Sequence, residues 1–161
     1  MTSDGSHAEA GAGAETRGGV VSPAEGSRLA QARVLLVDDD PGILRGLFVA
    51  FERLGVRPVT APDGAQALAR LAEVRVDLMI TDIIMPEREG LETIMAARQK
   101  VPGLRIIAMS GGGRVDSGEF LRAARALGAH GVIRKPFRPS QLIALAEKVL
   151  AEEAPADSNT T

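Results

Sequence analysis

Short apolar runs alternate with helix-period stripes from residue 33 to residue 152. The runs at residues 34–37, 56–60, 78–81, 105–109 and 131–134 are candidate strands. Most of them lack polar alternation, the pattern of strands covered on both faces. Five helices are expected between and after them. In the first, Ile43, Leu44, Leu47, Phe48, Phe51 and Leu54 form one stripe near the 3.6-residue period. Asp40-Pro41 suits its start, with Asp as N-cap and Pro at the first helical position, and Gly55 suits its end. The second opens at Asp63, with Gln66 three positions on as in a capping box, and is expected to turn Ala65, Leu68, Ala69 and Ala72 inward. The others span residues 91–99, 119–127 and 139–151, the last with Leu142, Leu145, Ala146 and Val149 as its core stripe. Met79, Met95 and Met109 read as core filler, and His130 as a solvated turn residue.

Five strand–helix units in this span predict an α/β fold: a flavodoxin-like, doubly wound, five-stranded parallel sheet with right-handed crossovers, order 2-1-3-4-5 and five helices. Residues 33–152 make one domain. Residues 1–32 are expected to be a disordered N-terminal tail, because thirteen of them are Gly or Ala and no period persists. Residues 153–161 are expected to be a second disordered tail.

Composition narrows the function. The chain has 161 residues and a net charge of -2, which argues against a nucleic-acid binder driven by phosphate contacts. Aromatics are 2%, too few for a base-stacking platform. The absence of cysteine removes thiol chemistry and suits a reducing compartment. No run is long enough to span a membrane, and no secretory signal is visible, so a cytoplasmic protein is expected.

In sheets of this kind, chemistry gathers beyond the carboxyl ends of the strands. The first strand ends in Asp38-Asp39-Asp40, the third in Asp82, the fourth in Ser110 and the fifth in Lys135. Asp40 reads as the helix N-cap alone. Asp38 or Asp39 close to Asp82 is a like-charge cluster in which one carboxylate would have to protonate unless a cation intervenes. An all-oxygen site favours Mg²⁺ or a similar hard ion. A carboxylate, a metal, the Lys135 ammonium and the Ser110 hydroxyl are the parts needed to accept a phosphoryl group on Asp82.

The segments VLLVDDD (34–40), DLMITDIIMPEREG (77–90), IIAMSGG (106–112) and IRKPF (133–137) resemble the receiver domain of bacterial two-component response regulators. The resemblance implies that Asp82 takes its phosphoryl group from a sensor histidine kinase or a histidine phosphotransfer protein. It implies Mg²⁺ held by Asp38, Asp39, Asp82 and the backbone carbonyl of Ile84, with Asp39 a direct ligand. Ser110 and Lys135 would contact the phosphoryl group, and the Lys135–Pro136 bond would be cis. It further implies a phosphoacceptor that assists its own phosphorylation and dephosphorylation rather than an enzyme with turnover. Receivers usually carry an aromatic switch residue where this chain has Val132, whose β-branched side chain cannot make the same swing. Ile84 and Gly112 offer no side-chain donor to orient water, so slow self-hydrolysis is expected.

Too few residues follow 152 for an output module, so signalling through protein–protein contacts by a stand-alone receiver, a monomer or weak dimer, is expected; the downstream target is unknown. The kinase side is expected around the first helix and the loops of the site. The output side is expected at the fourth and fifth helices and fifth strand, with Arg122, Arg125, Arg134 and Arg138. Two rivals remain at this stage. A pseudo-receiver would be an interaction module that is never phosphorylated. A haloacid-dehalogenase-like Mg²⁺ phosphatase would use Asp38 and Asp40, but leaves Asp82 without a role. The glycine-rich segment 111–118 lacks the Lys-Ser/Thr ending of a phosphate-binding P-loop.

Overall fold

The computed structural model describes residues 26–83, 89–111 and 117–152. In chain order these form α1 (Arg28–Gln31), β1 (Val34–Val37), α2 (Pro41–Glu52), β2 (Val59–Ala61), α3 (Gly64–Glu73), β3 (Leu78–Asp82), α4 (Glu89–Lys100), β4 (Arg105–Ser110), α5 (Ser117–Ala126), β5 (Gly131–Arg134) and α6 (Pro139–Ala151). The strands make one parallel sheet of order β2-β1-β3-β4-β5, the expected flavodoxin-like arrangement.

Every residue of β1 and β3 is buried, because alternate side chains enter two different cores. Leu35, Val37, Met79, Ile106 and Ala108 pack on one face with Ala67 and Leu71 of α3, Ile94 and Ala97 of α4, and Leu121 and Ala124 of α5. Val34, Leu36, Leu78, Ile80, Ile107 and Met109 pack on the other with Leu47 and Phe51 of α2 and Leu142, Ala146 and Val149 of α6. The unalternating apolar runs thus have a direct cause in the doubly covered sheet.

The helix starts follow the sequence. Asp40 Oδ1 accepts from the Gly42 N–H at 2.8 Å and the Ile43 N–H at 3.4 Å, with Pro41 behind it. Asp63 Oδ1 accepts from the Gln66 N–H at 2.8 Å, while the Gln66 amide turns back to Asp63 Oδ2 at 3.1 Å. Gly55 sits at φ 78°, in the left-handed region that favours glycine.

Five expectations need correcting, the last of them the number of helices. The second strand begins at Val59, not at residue 56, because Pro58 cannot donate to the ladder. Val56 instead donates its N–H to Phe51 O at 3.1 Å and closes α2 from the core. The inward face of α3 is Gly64, Ala67 and Leu71, not Ala65, Ala69 and Ala72, which are exposed. Alanines occur on both phases of that helix, and burial of Leu71 decides between them. Met95 is exposed on α4, whereas Met79 and Met109 are core as expected. His130 is half-buried: its Nδ1 accepts the Ile106 N–H at 3.1 Å, and its own N–H donates to Ile106 O at 2.7 Å.

There are six helices among the described residues, not five. The additional one, α1, lies inside the segment expected to be tail, and Leu29 within it is 1% exposed. The rest of that expected tail, residues 1–25, and the expected C-terminal tail lie outside the described residues.

Candidate functional site

The strand register sets the polar residues side by side. Val37 pairs with Thr81, so Asp38 and Asp82 follow as neighbours on β1 and β3. Ser110 pairs with Arg134, which puts Lys135 just beyond the end of β4. The Lys135 N–H donates to Ser110 O at 2.7 Å and the Asp38 N–H to Ala61 O at 3.3 Å, so the sheet itself fixes the height of the site residues.

Lys135 Nζ lies 2.6 Å from Asp38 Oδ2 and 3.0 Å from Asp82 Oδ2. One ammonium therefore bridges two buried carboxylates. The other oxygen of Asp38 accepts the Asp40 N–H at 2.9 Å. Asp40 thus serves the site through its backbone while its side chain caps α2, a double use that the sequence alone does not reveal. Burial raises the Asp38 pKa above the ordinary carboxylate value, the neighbouring Asp82 charge adds to this, and Lys135 with the Asp40 N–H pulls the other way. Burial alone would lower the Lys135 pKa, but its bonds to Asp38 and Asp82 outweigh that and raise it, so the ammonium stays charged.

Asp38, Asp39 and Asp82 each offer a carboxylate oxygen, and these oxygens lie within 4.8 Å of one another. Asp39 is exposed, and the other two are buried. Three carboxylates against one ammonium leave excess negative charge, and the donors are hard oxygens. This set fits a divalent cation of the Mg²⁺ type, which retains water or phosphate oxygens at its remaining positions. Ile84, expected to add a carbonyl ligand, lies outside the described residues, as do Gly112 and most of the 111–118 segment.

Ser110 is fully buried, and its Oγ has no hydrogen-bond partner among the described residues. An orphaned buried hydroxyl is costly, by about 1–3 kcal/mol, and points to a partner that arrives with ligand. The Lys135–Pro136 bond is cis. Gly90, at the start of α4, abuts the end of β3: a Cβ there would lie 2.7 Å from the Asp82 carbonyl oxygen. Val132 is half-buried against the α3–α5 side core, in register with Ala108.

A sequence profile of the response regulator receiver domain matches residues 34–147. The chain belongs to this family. Among curated relatives of this receiver chain, CpdR of Brucella abortus (strain 2308), a response regulator receiver protein, is 35% identical over 118 residues, covering 73% of this chain and 96% of CpdR. The transcriptional regulatory protein GlrR of Escherichia coli (strain K12) is 33% identical over 125 residues, covering 78% of this chain but only 28% of GlrR. The chain likewise spans 26% of NtrC from Azospirillum brasilense and 49% of CpxR from Escherichia coli. Among solved structures, the chemotaxis response regulator CheY4 of Vibrio cholerae superposes with TM-score 0.65 at 31% identity, covering 73% of this chain and 98% of CheY4. A CheY-like receiver from Methanospirillum hungatei gives TM-score 0.67 at 28% identity, covering 74% and 93% of the two chains.

Membership of the receiver family removes the phosphatase reading. The geometry agrees, since Asp40 is committed to the N–H groups of Gly42 and Ile43. No helix among the described residues is long and apolar enough to cross a membrane.

Proposed function

We propose that this receiver accepts a phosphoryl group on Asp82 from a phosphohistidine of a sensor kinase or phosphotransfer protein. The observation that carries the reading is the Lys135 ammonium held between Asp38 and Asp82, beside the orphaned Ser110 hydroxyl. In the transfer, an Asp82 carboxylate oxygen forms the new bond to phosphorus as the phosphorus–nitrogen bond of the donor breaks. Lys135 then turns from the Asp82 carboxylate to a phosphoryl oxygen, and the Ser110 hydroxyl donates a hydrogen bond to another. Asp38 keeps the ammonium in place throughout. Mg²⁺ at Asp38, Asp39, Asp82 and the Ile84 carbonyl would draw negative charge from the phosphoryl oxygens.

For the kinase-side contact we favour the mouth of the site. Ile43, Gly46 and Leu47 of α2 face Pro136, Phe137 and Pro139 across an apolar groove of about 470 Å³, with Lys135 at its edge. A helix carrying a phosphohistidine could lay apolar side chains there and reach Asp82. For output we favour α5, β5 and α6, where Arg122, Arg125, Arg134 and Arg138 are exposed and suit an acidic protein partner. We further propose a cytoplasmic monomer or weak dimer that acts through its own surface; the near-complete coverage of CpdR and CheY4 supports the last of these.

The test is phosphotransfer from a panel of autophosphorylated histidine kinases in Mg²⁺ buffer. One donor is expected to label the wild type and not Asp82→Ala. If the whole panel and a small acyl-phosphate donor leave the wild type unlabelled, the reading gives way to a pseudo-receiver. Decay of the label within seconds would contradict the slow self-hydrolysis expected from Ile84 and Gly112.

A further inference from the structure

The receiver profile begins at residue 34, yet the ordered fold begins before it. Ser27 caps the four-residue helix α1, which lies against the C-terminal half of α6, roughly 120 positions away in sequence. Four residues cannot hold a helix by themselves, since nucleation is costly and few internal bonds form. The stabilisation must come from α6, and the contacts show how.

The exchange is reciprocal. Ser27 Oγ caps α1 by accepting the Ala30 N–H at 3.2 Å, and donates its own proton to Glu147 Oε1. The Leu29 N–H reaches Glu147 Oε2 at 3.5 Å. A carboxylate of α6 thus faces the N-terminal, positive end of α1. In return, Arg28 donates to Leu150 O at 3.2 Å, which serves one of the last carbonyls of α6. Between these polar contacts Leu29 is 1% exposed and joins the cluster that contains Val34, Val56, Ala146 and Val149. The chain leaving α6 is fastened nearby, where Arg105 donates to Glu152 O. Entry is fastened as well, by the Arg33 N–H on Asp77 Oδ2 at 2.8 Å. All of this lies at the amino ends of the strands, opposite the carboxylate cluster.

We infer that residues 27–31 are a strap that closes the far end of α6, so that the folded unit includes this segment ahead of β1 and an apolar strip on α6 and β1 is uncovered only when the strap lifts. The strap is independent of the phosphoacceptor reading, because no residue in it touches the acidic site. It converts the end of a glycine- and alanine-rich segment into part of the core with a single leucine and two caps.

Hydrogen exchange of the full chain tests this, since a lifted strap exposes the end of α6 without unfolding the sheet. Two full-length variants are compared with wild type: Leu29→Ser, and the double variant Ser27→Ala/Arg28→Ala. Both are expected to speed exchange in residues 148–152 and at the start of β1, Leu29→Ser by roughly tenfold or more, while α3 keeps its wild-type rate. Leu29→Ser is also expected to lower the melting midpoint by about 5–10 °C. Wild-type exchange at the end of α6 in both variants would overturn the strap. Equal acceleration across the whole sheet would overturn it too, since Leu29 would then be general core. Should Leu29→Ser fail to fold, the double variant decides by the same two readings.

Discussion

Lys135 and Asp38, 97 positions apart in sequence, meet at 2.6 Å between Nζ and Oδ2, and the lysine side chain is 15% exposed against 1% for the aspartate. The pair puts a positive charge at the floor of an otherwise acidic pocket. It also ties the loop after β5 to the end of β1 across the width of β3 and β4. Lys135 is therefore a structural clamp before any phosphoryl group arrives.

Lys135→Met should accordingly cost stability as well as phosphorylation. Removing the ammonium leaves Asp38 and Asp82 facing one another, and breaking a buried pair from one side costs about 3–5 kcal/mol. The loss is expected near the lower end because Asp38 can take up a proton. Urea unfolding in chelator measures it, and added Mg²⁺ should recover part of the difference. A variant as stable as wild type in chelator would remove the clamp.

Metal dependence follows from the three carboxylates. Mg²⁺ at one hundred times its dissociation constant should stabilise the wild type by about 2.7 kcal/mol. Asp39→Ala should need at least about tenfold more Mg²⁺ for the same shift. Thermal melts at stepped Mg²⁺ concentrations check this. Chelator should abolish labelling of the wild type. An unchanged Mg²⁺ response in Asp39→Ala would take that residue out of the ligand set.

Gly90→Ala tests the contact between α4 and β3. Its Cβ would press on the carbonyl oxygen of Asp82 at 2.7 Å, and backbone on both sides leaves little room to yield. We expect a loss of about 1–3 kcal/mol, as in overpacked cores, together with slower phosphorylation because Asp82 is displaced. Wild-type stability and rate together would show that the helix start accommodates a methyl group.

His130 predicts a pH effect away from the site. Burial lowers its pKa below the ordinary value of 6.5, and Arg105 and Arg98 lower it further, against a smaller opposing pull from Glu152. Its Nδ1 must be unprotonated to accept the Ile106 N–H. The unfolded chain therefore binds a proton here more readily than the folded one, so stability is full above the unfolded value and falls as pH drops through it toward the lower folded value. Between about pH 7.5 and about pH 5.5 the wild type should lose stability. His130→Gln, which keeps an acceptor but cannot titrate, should lose less. Equal slopes for the two proteins would dismiss the effect.

Much of this was legible in the sequence, for physical reasons that differ by element. β1 and β3 could be read because both faces are covered, so Val34–Val37 and Leu78–Ile80 run apolar without alternation. The residues of the acidic cluster could be read because a parallel sheet sends its functional side chains to one edge, and Asp38, Asp39, Asp82, Ser110 and Lys135 meet there. The beginning of β2 is less legible, because two valines flank Arg57 and Pro58 and only the second valine joins the ladder. The inward phase of α3 was misread because alanine fits either side of a helix. α1 left no period to find, since Leu29 is its one buried anchor and its polar partners outside the helix, Glu147 and Leu150, lie on α6. The Asp40 N–H on Asp38 was equally hidden, because backbone donors carry no sequence signal.

The most direct test of the central claim is to locate the phosphoryl group. Protein labelled in Mg²⁺ is reduced with borohydride, which converts an aspartyl phosphate to homoserine, and the modified residue is read by mass spectrometry. The account predicts homoserine at position 82 alone. Homoserine at Asp38 or Asp39, or a label that survives Asp82→Ala, would contradict it.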